Sequence, residues 1–165
     1  MLGECSNMFF KKRVSVEDYC TQNFTPLFSR EREATWEALR RACNDIALSA
    51  VDAQLCYDHL RAVFIQLMLI AIIKNCSMDV PSDAHAFVMM YLKEHNLSEI
   101  DEISHAYIQA FGRSGLAPNR DGVAEMVAHF TDVLTSGRLR QATIERLYVE
   151  FYGILKTFFD DFRSI

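Results

Sequence analysis

Residues 62–73 read AVFIQLMLIAII, twelve positions of which only Gln66 is polar. Such a run belongs either in a bilayer or in the middle of a protein core. A spanning helix needs about 20 consecutive apolar residues. This run is bracketed by Asp58, His59 and Arg61 on one side and by Lys74 and Asn75 on the other, so it falls short by nearly half. The expectation is therefore a core helix, apolar on every side because other helices surround it, and no membrane span.

The flanks supply its ends. Ser49-Ala50-Val51-Asp52 has the form of a capping box, in which a hydroxyl satisfies an orphan amide and a carboxylate reaches back, and CSMDVPSD (76–83) breaks the pattern beyond Asn75. A helix over about 50–75 follows. Similar signals divide the rest of the chain. Ser15-Val16-Glu17-Asp18 resembles a second capping box for a short helix ending near Asn23, before Pro26. Ser29 opens an amphipathic helix to about Ser49, with Trp36, Leu39, Cys43, Ile46 and Ala50 on its apolar side. Ser82 caps a helix through His95 whose stripe is Phe87, Met90 and Tyr91, and Asn96 suits a left-handed C-cap. Ser98-Glu99-Ile100-Asp101 opens the next helix, which ends at Gly112 and points Ile100, Ile103, Tyr107 and Phe111 inward. GRSGLAPNRDG (112–122) is the longest loop in the body of the chain, and the helix after it, Asp121 to Thr135, buries Val123, Met126, Val127, Phe130, Val133 and Leu134.

The final helix, about 138–163, carries Ile144, Tyr148, Phe151, Leu155, Phe158, Phe162 and Ile165 at a strict four-three spacing. Leu147 with Ile154, and Tyr152 with Phe159, add two further rows, a wider apolar surface than one neighbouring helix covers. Almost no segment alternates as a strand would. The fold class is all-α: one domain spanning 1–165, a bundle of six to seven helices around the central apolar one, with residues 1–14 as a flexible arm.

Composition narrows the function. Half the residues are hydrophobic, and Gly and Pro are scarce at 6 and 3, which describes an ordered globular protein. A net charge of −5 and a pI near 5.5 oppose nucleic-acid binding, which needs a clustered excess of Lys and Arg. Cys5, Cys20, Cys43, Cys56 and Cys76 are odd in number and contain no C-x-x-C pair, so they read as small buried hydrophobes of a cytoplasmic protein. MLGECSNMFFKKRVS lacks the extended apolar segment of a signal peptide, and Phe9-Phe10-Lys11-Lys12-Arg13 is too short to hold a membrane surface firmly.

Chemistry is sparse. Glu102 and His105 form an E-x-x-H pair, the half-motif of a di-iron carboxylate bundle, but the second copy is missing, and Glu125, His129 and Asp132 share a face that reads as solvated. His59 precedes the apolar run and reads as a buried neutral histidine with one hydrogen-bond partner. No attachment motif singles out His59 or His95 for haem, Arg113 and Arg120 sit in a loop without a phosphate-binding signature, and no nucleophile elbow is present. No catalytic residues and no cofactor are assigned. The pattern points to a binding protein, a homo-oligomer or the partner of another protein, with Tyr148, Phe151, Tyr152, Phe158, Phe159 and Phe162 at its interface. The alternative is a small-molecule, metal or haem protein with a pocket beside the central helix, using Glu102, His105 and His59.

Overall fold

The computed structural model of the protein describes residues 15, 18–22, 50–75, 79–113, 119–135 and 141–162. Among them the regular elements are all helices: α1 (Ala50–Asn75), α2 (Asp79–Glu94), α3 (Ser98–Gly112), α4 (Asn119–Thr135) and α5 (Gln141–Phe162), preceded by a helical turn at 18–22. The all-α expectation holds. The flexible arm at 1–14 and the amphipathic helix expected over 29–49 lie outside the described residues.

α1 is the axle. It packs against each of the other four helices, most extensively against α5 and α3, while α3, α4 and α5 also pack side by side. Every residue from Ala62 to Ile72 is buried, which an amphipathic helix cannot achieve. Phe64 of α1 meets Phe158 of α5 edge to face at 4.9 Å, and Phe130 of α4 meets Phe151 of α5 the same way at 5.5 Å.

The length argument against a bilayer needs correction, because the polar shoulders of the apolar run continue the helix. α1 has 26 residues, and Gln54–Asn75 is long and apolar enough, by length and composition alone, to cross a membrane. What marks it as a core element is enclosure, since 78 % of that stretch's apolar window is buried by the rest of the fold.

Local chemistry explains most boundaries. The Asp18 amide donates to Ser15 Oγ at 3.0 Å and the Tyr19 amide to the Ser15 carbonyl at 2.9 Å, so Ser15 caps the turn at 18–22 as its box predicts. That turn docks on the far end of α5, where the Tyr19 hydroxyl donates to Asp161 Oδ2. Asn96 has φ 56°, Leu97 N–H bonds the Leu92 carbonyl at 2.7 Å, and Asn96 N–H bonds that of Lys93 at 3.2 Å. This pair of bonds is a Schellman motif, and it reverses α2 into α3 within three residues.

Other expectations are corrected. α2 begins at Asp79 rather than after Ser82, because Pro81 falls in the first turn, where its missing N–H would have had no partner. Its buried stripe is Ala84, Val88, Tyr91 and Leu92; Met90 is exposed and Phe87 half-buried. α3, by contrast, opens at Ser98 and ends at Gly112 as expected, with Leu97 at the N-cap position making no side-chain cap hydrogen bond. Val133, expected inside, is exposed near the end of α4. α4 starts at Asn119, so it takes up part of the predicted loop, and Arg113 and Arg120 both stand in solvent.

Candidate functional site

Among the described residues, two buried polar contacts join α1 to α3, and Thr131 of α4 and Thr143 of α5 are buried as well. His59 is 6 % exposed, with its Nδ1 2.8 Å from the Tyr107 hydroxyl. The hydroxyl can donate or accept, so the pair is satisfied with the imidazole neutral. Burial pushes the His59 pKa down from 6.5 to about 4, helped by the nearby His129. The His129 ring stands edge-on to Tyr107 at 5.0 Å, and its own pKa is lowered by desolvation and then by Arg113, against the opposing pull of Asp132. About two helical turns further along α1, Gln66 Nε2 donates to Ser104 Oγ at 3.0 Å, and the Ser104 hydroxyl donates to the Asp101 carbonyl at 2.8 Å. These contacts stitch two helices in one register. His59 is thus a structural histidine, as its sequence context suggests.

The pairing of Glu102 with His105 is not what the fold uses. Glu102 is exposed, and the ligand-type atoms that gather around His105 belong to Asp101 of the same helix and His85 of α2, all within 4.8 Å of one another. His105 Nδ1 lies 3.0 Å from the Asp101 carbonyl and 3.6 Å from Asp101 Oδ2. His85 and Asp101 were invisible as partners in the sequence, although one signal existed: with a reversal at Asn96, positions 85 and 105 are nearly equidistant from the turn. His95 stands apart from this group, stacked on the Tyr91 ring at 4.0 Å with Nδ1 against the Tyr91 carbonyl.

The aromatic surface of α5 is divided by the fold. Phe151 and Phe158, expected at an interface, are buried in the chain's own core, because α1 and α4 close over that row. Tyr148 and Phe159 are half-buried and Tyr152 is 38 % exposed; the Phe162 side chain lies outside the described residues. Tyr148 and Tyr152 stack with centroids 5.9 Å apart and planes 14° from parallel. Beside them a groove of about 360 Å³ runs between α4 and α5, floored by Val127, Ile144 and Tyr148 and rimmed by Val149, which at 65 % exposure is the most open large hydrophobic among the described residues. A second hollow of about 260 Å³, between Tyr152 and Asp160, continues along the same side.

Cys20 and Cys56 are buried free thiols, and burial raises the Cys20 pKa to about 12, so it stays protonated and unreactive. Cys5, Cys43 and Cys76 lie outside the described residues. No protein-family model, no curated protein and no solved structure matches this chain, so its chemistry is read from its own residues.

Proposed function

We propose that the protein acts by association, as a symmetric homodimer that joins through the solvent-facing stripe of α5. One observation carries this reading. Glu145, Val149, Tyr152 and Lys156 are all exposed, and they follow one another at the four-three-four spacing of a helix–helix seam. Glu145 and Lys156 lie equally far from the midpoint between Val149 and Tyr152. Two antiparallel copies crossed at that midpoint therefore set each Glu145 against the other copy's Lys156, and each Tyr152 against the other's Val149, as an isologous contact requires. The groove rimmed by Val149 would receive the incoming tyrosine ring, an aromatic anchor of the kind that dominates interfaces.

The expected dimer is modest in strength, since one helix face is smaller than the standard interface. Sedimentation of the full chain across a dilution series tests it. Exposed ion pairs contribute about 0.2–1 kcal/mol each and occur twice across a two-fold axis, so E145K or K156E alone should weaken association roughly tenfold. The E145K/K156E double variant should restore it, because the exchanged charges still face each other. A strict monomer at every concentration, or a double variant no better than the singles, removes this reading.

A further inference from the structure

Apart from α5, two helices, α2 and α3, bring nitrogen and oxygen ligands together. We propose that His85, Asp101 and His105 form a binding site for a first-row divalent transition-metal ion of the zinc class, which fastens α2 to α3. The three ligand-type atoms lie within 4.8 Å of one another. In a tetrahedral zinc site, metal–ligand bonds of about 2.0–2.2 Å leave the ligand atoms about 3.4 Å apart. His85 and His105 are exposed and Asp101 is half-buried, so small side-chain rotations close that difference without moving the backbone.

The arrangement around His105 favours a metal over a bare surface cluster. Its Nδ1 is 3.0 Å from the Asp101 carbonyl oxygen, which can only accept, so in the neutral imidazole Nδ1 carries the hydrogen and Nε2 keeps its lone pair. A ligating histidine held by a carbonyl through its other nitrogen is the usual support for a bound metal, because it fixes both tautomer and ring orientation. The Schellman reversal at Asn96 sets the spacing between helices, and Asp101 serves twice, by its carbonyl as the anchor and by its carboxylate as a ligand. Two imidazoles and one carboxylate select zinc, cobalt(II) or nickel(II); magnesium and calcium prefer all-oxygen shells. With three protein ligands the fourth position belongs to water, and the site's openness to solvent is consistent with reversible loading.

Cobalt(II), which reports its ligands by colour, tests the proposal on the untagged full-length chain stripped with chelator. One equivalent should bind with weak ligand-field bands and without the strong near-ultraviolet charge transfer of a thiolate, and should raise the thermal midpoint. H85A and H105A should each weaken binding by about tenfold or more and abolish the thermal shift, while E102Q, one residue from Asp101 on the same helix, should leave both unchanged. Circular dichroism of the metal-free variants checks that they fold. The proposal fails if no cobalt binds, if a thiolate band accompanies binding, or if affinity survives in both folded histidine variants.

Discussion

α1 and α5 are both long, apolar helices, yet they meet the rest of the molecule in different ways. From Ala62 to Ile72 every position of α1 is buried, including Gln66. On α5 the buried positions are Thr143, Leu147, Phe151, Leu155 and Phe158, one row at intervals of four, four, four and three, with Val149 and Tyr152 on the side left to solvent. A helix at the centre of a bundle has no free side and so no periodicity; a helix at its edge keeps its period and retains a face to spend on something else. The difference teaches that apolar content alone does not distinguish core from surface, whereas the spacing of apolar positions does.

The sharpest way to break this comparison uses neighbours in the chain. Phe151 is fully buried and Tyr152 is exposed, although both were expected at one interface. Phe151→Ala should cost about 3–5 kcal/mol through lost burial and a cavity. Tyr152→Ala, measured in urea at a concentration dilute enough to hold the monomer, should cost under about 1 kcal/mol, the usual range for a surface change. Equal losses would show that the two faces of α5 are not the inside and outside described.

Both helices were legible in the sequence, for separate reasons. The span expected for the central helix, about 50–75, coincides with α1 because a strong capping signal and a run of breakers bound an unmistakable apolar run. α5 was legible because its heptad spacing is unbroken, and Asn96 because few residues other than glycine accept a left-handed turn. What failed was orientation within short amphipathic helices. In α2 the large side chains of Phe87 and Met90 suggest one stripe, but the smaller Ala84 and Val88 with Leu92 define the buried one, and Met90 stays exposed. Partners distant in sequence were out of reach for another reason: His59 meets Tyr107 only after α3 has folded back on α1, and no local pattern encodes that contact.

That contact makes the central helix sensitive to acid. The folded-state pKa of His59 is depressed from 6.5 to about 4, so between these values the unfolded chain binds a proton that the folded chain excludes. Stability from this group is fully present above pH 6.5 and is lost as pH falls towards 4, below which both states are protonated; the full loss amounts to about 3 kcal/mol. H59Q retains a hydrogen-bonding side chain and removes the titration. Urea unfolding at intervals from pH 7 to pH 4.5 should show wild type losing stability relative to H59Q as the solution is acidified. Parallel profiles would mean that His59 is not held neutral by its surroundings.

The smallest effect sharpens the comparison most, because it concerns why an otherwise apolar helix keeps one amide. Gln66 gains nothing from the apolar surroundings of α1, and its Nε2 is satisfied by Ser104 Oγ across the helix pair. Removing the acceptor leaves a buried donor unpaired, so Ser104→Ala should cost about 1–3 kcal/mol, more than the loss of one oxygen would suggest. Removing both partners should not, and Q66L/S104A should return close to wild-type stability. What the double variant would lose is register: with no polar pair to fix how α3 lies along α1, apolar faces can slide past one another at little cost. Exchange-broadened amide signals along α3 in the double variant, at unchanged stability, would assign the pair to specificity; sharp wild-type-like spectra would assign register to side-chain packing alone.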